Sequence, residues 1–152
     1  MDAMSLLKED HEKVKKILGE LESTTERGVK TREELFTKVK EELVVHEAIE
    51  EEIFYPALKE HSKTKEIALE GYEEHHVVDT VMAEIEGVAY DDEKWGAKFK
   101  VMKENLEHHI EEEEGEMFKR ARQVFDEDEL AQLGESMLAR KQELIRQQAS
   151  AA

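Results

Sequence analysis

Apolar residues recur at intervals of three and four along most of this chain. Leu7, Val14, Leu18 and Leu21 form a first stripe, and Leu35, Val39, Leu43 and Ile53 a second. Val78, Met82 and Ile85 form a third, shorter face, while Trp95, Phe99, Met102, Leu106 and Met117 form a fourth. A last stripe holds Leu130, Leu133, Met137, Leu144 and Ile145. This periodicity predicts four long helices at about 3–24, 31–61, 64–88 and 92–121, and a fifth at about 127–147. Thr31 with Glu34, and Asp126 with Glu129, read as helix starts, and Asp91-Asp92-Glu93 opens the fourth segment. The connections are short, so neighbouring helices run antiparallel. The expected fold is all-α: an up-down-up-down four-helix bundle over residues 1–122. An amphipathic C-terminal helix within 123–152 covers it, with a disordered tail from about 148.

Polar residues interrupt the stripes at matching places. His11 fills a gap in the first, His46 and Glu50 lie in the middle of the second, His75 sits one turn before Val78, and His109 and Glu113 break the fourth. The interruptions repeat. His11 and His75 are 75 − 11 = 64 apart, His46 and His109 are 109 − 46 = 63 apart, and both members of the second pair begin His-x-x-x-Glu. Val14, Leu18 and Leu21 follow His11 as Val78, Met82 and Ile85 follow His75, so the chain reads as two similar helical hairpins.

At 1.5 Å per residue, His11 and His46 each lie roughly 20 Å from the turn joining their helices, which puts them level. The same reckoning, roughly 21 Å against 17 Å, brings His75 to that height. Burying an ionised carboxylate or an unpaired imidazole costs several kcal/mol, so six inward polar groups at one level would destabilise an apolar core. A bound cation removes the objection; a buried hydrogen-bonded network is the bland alternative. Other polar residues fit ordinary roles. His61 reads as a surface residue complementing a helix end, and His76 and His108 point about 100° away from their neighbours. In the run Glu111 to Glu114 only Glu113 is in register with the stripe.

Composition narrows the chemistry. The formal net charge of −17 argues against nucleic acid and anionic membrane surfaces as partners. With no cysteine in the chain, a metal must be held by nitrogen and oxygen donors. The opening MDAMSLLKEDHEKVKK has no basic start followed by a long apolar run, and a cytoplasmic protein is expected. No phosphate loop, serine triad or basic aromatic patch is present, and no protein partner can be inferred.

The stretches KEDHEKVKKIL, HEAIEEEIFYPAL, EEHHVVDTVMAEI and HHIEEEEGEMF, in that order, resemble the haemerythrin-like, or HHE cation-binding, domains over roughly residues 5–121. The resemblance implies a non-haem di-iron centre with an oxo or hydroxo bridge. It makes His11, His46, His75 and His109 terminal ligands and Glu50 and Glu113 bridging carboxylates, with no catalytic residue beyond the ligands. Haemerythrins that carry oxygen have a fifth histidine one turn from the third-helix ligand, where this chain has Gly71 and Asp79. Tyr72, His76, Asp79, Glu47 and Glu114 are candidates for an additional ligand or a supporting role. The fourth-helix copy also has Lys119 where the second-helix copy has Pro56, and Gly115 within the helix, a difference that bears on packing.

Four histidines and two bridging carboxylates leave about two positions open on each octahedral ion. The implied ligands are small: dioxygen, hydrogen peroxide or nitric oxide. The leading expectation is a di-iron protein that consumes hydrogen peroxide in a catalase-like or peroxidase-like manner. The alternatives are a dioxygen or nitric oxide carrier or sensor, and an iron store or iron-responsive module without turnover. Imidazole and carboxylate also suit zinc or manganese, so iron follows from the resemblance and not from the donor types.

Overall fold

A computed structural model describes residues 1–151. Seven α-helices run in chain order: α1 (Ala3–Glu22), α2 (Val29–Ile49), α3 (Tyr55–Lys59), α4 (Ser62–Glu86), α5 (Glu93–Glu112), α6 (Phe118–Val124) and α7 (Glu127–Ala151). The π-helical segment Glu50–Phe54 joins α2 to α3, and a second, Glu113–Met117, joins α5 to α6. Each of these pairs is one continuous rod, so α1, α2–α3, α4 and α5–α6 make the expected four-helix bundle. α7 packs across α1 and α2.

Side-chain caps fix the starts of α1, α5 and α7. Asp2 accepts from the Ser5 N–H at 2.8 Å and Asp92 from the Lys94 N–H at 2.8 Å. Asp126 and Glu129 form a reciprocal capping box, the Glu129 N–H donating to Asp126 and the Asp126 N–H to Glu129. Thr31 does not start α2: the helix begins at Val29 from Gly28, which offers no side-chain cap. The tail also differs from expectation, because α7 continues as helix to Ala151. Its alanines and glutamines are good helix formers, and Gln148 anchors the last turns by donating to the Glu41 carbonyl at 3.2 Å. On α7 the inward face takes Gly134 and Lys141, while Ile145, assigned to the stripe from sequence, is 46% exposed.

The core is split in two. One apolar cluster gathers Leu6, Leu7, Ile49, Phe54, Leu58, Phe118 and Met137 at one end. The other gathers Val14, Leu18, Val39, Leu43, Val78, Met82, Trp95 and Phe99 at the opposite end. Between them, on every rod of the bundle, lies a polar level: His11, His46 with Glu50, His75, and His109 with Glu113, all buried. The apolar ends supply the burial energy that lets this level exist.

Candidate metal centre

Both carboxylates of the buried level begin a π-helical segment. The Tyr55 N–H donates to the Glu50 carbonyl and the Phe118 N–H to the Glu113 carbonyl, closing i to i+5 turns in place of i to i+4. The extra residue rotates the downstream part of each rod. In an α-helix Tyr55 would lie about 140° around from Glu50; across the wider turn it points into the bundle, while Ile53, assigned inward from sequence, is only half-buried.

The six side chains singled out from sequence meet in one place. His11, His46, Glu50 and Glu113 offer donor atoms within 4.8 Å of one another, and Glu50, His75 and His109 do the same beside them. Glu50 Oε1 is 3.1 Å from His46 Nε2 and 3.0 Å from His75 Nε2. Glu113 Oε1 is 3.1 Å from His11 Nε2, and its Oε2 is 3.4 Å from His109 Nε2. Each carboxylate therefore reaches toward one histidine of each hairpin. Despite these approaches, His11 Nε2, His46 Nε2, Glu50 Oε2 and Glu113 Oε1 are buried without a hydrogen bond of acceptable geometry. Four orphaned polar atoms facing one another in a core would be costly, and a shared cation is what such a donor set accepts.

The outer nitrogen of every histidine is held by a carboxylate from a neighbouring rod. His11 Nδ1 lies 2.6 Å from Glu114, His46 Nδ1 2.9 Å from Asp10, His75 Nδ1 2.8 Å from Glu51 and His109 Nδ1 2.9 Å from Glu74. These contacts close a ring around the bundle, and they turn each Nε2 inward, as metal-binding histidines require. The internal duplication extends to them: Asp10 and Glu74 are 74 − 10 = 64 apart, Glu51 and Glu114 are 114 − 51 = 63 apart.

The duplication fails at one instructive pair. Tyr55 corresponds to Phe118, and Gly71 to Leu7, at the same 63 and 64 spacings. The Tyr55 hydroxyl donates to Glu113 Oε2 at 2.6 Å and lies 3.4 Å from the Nε2 atoms of both His75 and His109. Gly71 makes room for it: a Cβ there would stand 2.8 Å from Tyr55 Cζ. At one of the two positions where the resemblance implies a fifth histidine, this chain has Gly71, and the space is filled by a phenol from the adjacent rod. Gly71→Ala is expected to destabilise the fold by about 1–3 kcal/mol through overpacking. Thermal denaturation checks this, and an unchanged melting point would contradict the placement of Tyr55.

The candidates for a supplementary role separate cleanly. Glu114 supports His11. Tyr72 donates to the Glu51 carbonyl at 3.1 Å and packs edge-on against Tyr55, outside the donor cluster. His76 is exposed, as is His108, which pairs loosely with Glu112. Glu47 is buried and Asp79 is exposed beside it; burial, then contact with Asp79, pushes the Glu47 carboxyl up to about 10. His61, expected at the surface, is half-buried at the N-cap position of α4, makes no capping side-chain hydrogen bond and packs edge-on against Phe125. Tyr55, Asp10, Glu51 and Glu74 were missed from sequence. The spacing of Asp10 and Glu74, and of Glu51 and Glu114, carried the signal for all but the tyrosine.

Electrostatics follow from the burial. Burial works against charge on His46, His75 and His109, but Glu50, Asp10, Glu113 and Glu74 outweigh it, raising all three rings, His109 to about 10. Burial would raise Glu113, yet its contacts with Glu50, His109 and His11 hold it well below the usual carboxylate range. Asp10 is likewise held low, His46 and Lys141 overcoming burial.

The Hemerythrin HHE cation binding domain family matches residues 2–121. The chain belongs to this family. Its fold is also similar to the crystal structure of a hemerythrin HHE cation binding domain-containing protein from Mycobacterium kansasii. The TM-score is 0.85 and the identity 26%, covering 95% of this chain and 87% of that one. The uncovered share is smaller than the 25 residues of α7, so most of that helix has a counterpart there although it lies beyond the family match. Comparison with curated proteins gives no match. As an HHE domain the chain is a cation-binding module carrying a buried His/Glu cluster of the required donor type. Among the described residues, no helix is long and apolar enough to cross a membrane.

Proposed function

We propose that this HHE domain holds two iron ions and consumes hydrogen peroxide. The observation that supports the reading best is the set of orphaned buried atoms, His11 Nε2, His46 Nε2, Glu50 Oε2 and Glu113 Oε1, among histidines whose outer nitrogens are already engaged. His11 and His46 would hold one ion and His75 and His109 the other, with Glu50 and Glu113 shared. Tyr55 would add a donor on the His75 and His109 side only, leaving the His11 and His46 side more open. Bound iron would supply redox equivalents and Lewis acidity.

The surroundings suit a small oxidant. Val14, Leu43, Val78, Leu106 and Ile110 line the space beside the histidines, with Glu47 the one carboxyl on that wall. The space amounts to about 10 Å³ for the centre of a water-sized sphere, room for roughly one such molecule and not for an organic substrate. The apolar wall excludes bulk water, while the ring of outer carboxylates keeps each imidazole in the orientation its inner nitrogen needs. The test is oxygen evolution after hydrogen peroxide is added to the iron-loaded chain, two peroxides yielding two waters and one dioxygen. Sustained release is expected; a chain with two irons and no release would contradict turnover.

The raised histidines set a pH dependence. In the metal-free chain the surrounding carboxylates raise His46, His75 and His109 above the ordinary 6.5, His109 to about 10, so protons compete with a metal, which binds only the neutral ring. Iron uptake is therefore expected to expel protons near pH 7 and to tighten as pH rises toward about 10, the value for His109. Titration in weak buffer with a pH indicator checks this; uptake without proton release would contradict it.

A further inference from the structure

The packing face of α7 runs Leu130, Leu133, Gly134, Met137, Lys141 and Leu144, so a lysine sits within an inward stripe. Lys141 Nζ is 2.5 Å from Asp10 Oδ1, and the other oxygen of that carboxylate is 2.9 Å from His46 Nδ1. Both oxygens of Asp10 are thus engaged, one by α7 and one by the ring it orients. Asp10 is 2% exposed, whereas Glu114, Glu51 and Glu74, which do the same for the other histidines, are 25%, 38% and 28% exposed. Among the described residues none of those three is paired with a lysine or arginine.

The register that delivers Lys141 is built in. At Gly134 a Cβ would stand 2.7 Å from the Asp2 carbonyl carbon and 2.8 Å from the Ala3 nitrogen, so α7 meets the start of α1 at backbone distance. Gly134 to Lys141 and Ala3 to Asp10 are seven residues each, so two turns up the parallel helices the lysine meets the aspartate.

We propose that Lys141 is a positioning residue for the metal position built on His11 and His46. It pins Asp10, which holds the His46 ring with Nε2 facing inward, so α7 locks that position against metal loss. The outer nitrogens on the His75 and His109 side rest on the half-buried Glu51 and Glu74, neither pinned by a cation, and under reducing conditions, where the neutral Tyr55 phenol is a poor ligand, that position exchanges more readily. The inference rests on the proposal that the chain holds two irons.

The test loads the full chain with ferrous iron alone and follows its release to a chelator under reducing conditions. The wild-type chain is expected to release two irons in two phases of equal size. Lys141→Met should accelerate the slow phase by about 10-fold, the lower end of the range for losing a histidine's direct outer partner because Asp10 itself remains, and leave the fast phase unchanged. Lys141→Arg should restore the slow phase. Arg140→Ala, which breaks the 2.8 Å contact of α7 with Glu52 without touching Asp10, should leave both phases as they are. A wild-type slow phase in Lys141→Met overturns the inference, as does an equal acceleration in Arg140→Ala, because α7 would then act only through the fold. Two wild-type irons leaving in a single phase overturn the inference alone. A wild-type chain that holds no iron removes the two-iron reading and the inference with it.

Discussion

Replacing Glu113 by alanine is expected to cost the chain its second iron and its peroxide turnover. Glu113 is 1% exposed, faces His11 at 3.1 Å and His109 at 3.4 Å, and accepts from Tyr55 at 2.6 Å, so one truncation removes a donor from both metal positions. Losing an outer partner such as Glu114 should weaken binding by about 10–100-fold, and a shared inner carboxylate should exceed that range. Competition with a chelator measures the difference, and Glu114→Ala is the internal reference. A Glu113→Ala chain that binds two irons as tightly as the parent would remove Glu113 from the donor set.

Tyr55→Phe is the second large effect, and it divides into two readouts. In the metal-free chain the hydroxyl gives a hydrogen bond to a buried carboxylate, so its loss should destabilise the fold by about 1.5–3 kcal/mol, seen by denaturant unfolding. In the ferric iron-loaded chain the phenol is placed to bind on the His75 and His109 side, and a phenolate bound to ferric iron absorbs in the visible. The parent is expected to show that absorption, and Tyr55→Phe to lose it while keeping two irons. A parent without the band would make Tyr55 a hydrogen-bond donor to Glu113 and nothing more.

Much of this architecture is readable in the sequence. The apolar stripes carry the four rods, because each rod buries one face and the 3.6-residue period survives the polar interruptions. The interruptions themselves, at spacings of 63 and 64, carry the level at which the six side chains meet. The π turns are not readable. EEEIF and EEGEM look like ordinary acidic helix, and nothing local distinguishes an i to i+5 turn from an i to i+4 one. Missing the turn at Glu50 means missing Tyr55, since five residues of α-helix would point it elsewhere.

The outer carboxylates are hidden for a different reason. Glu51 and Glu74 sit in Glu-rich stretches of a chain with a net charge of −17, where any one glutamate resembles a solvated face; Glu114, next to a ligand, is the one the sequence singles out. Only pairing across rods picks out the other two. Lys141 is hidden by the same logic, as one charged residue on a helix whose inward face depends on where Gly134 lets it approach. Thr31 and the C-terminal tail show the limits of local signals, since a helix start two positions earlier and a contact to Glu41 decide those ends.

On the proposed function the buried histidine and glutamate level holds two iron ions. Anomalous diffraction at the iron edge from crystals of the iron-loaded chain tests it most directly. Two peaks inside the bundle are predicted, one beside His11 and His46 and one beside His75 and His109, with Glu50 and Glu113 reaching both. A single peak, or peaks confined to the surface group Glu74, His108 and Glu112, would contradict it.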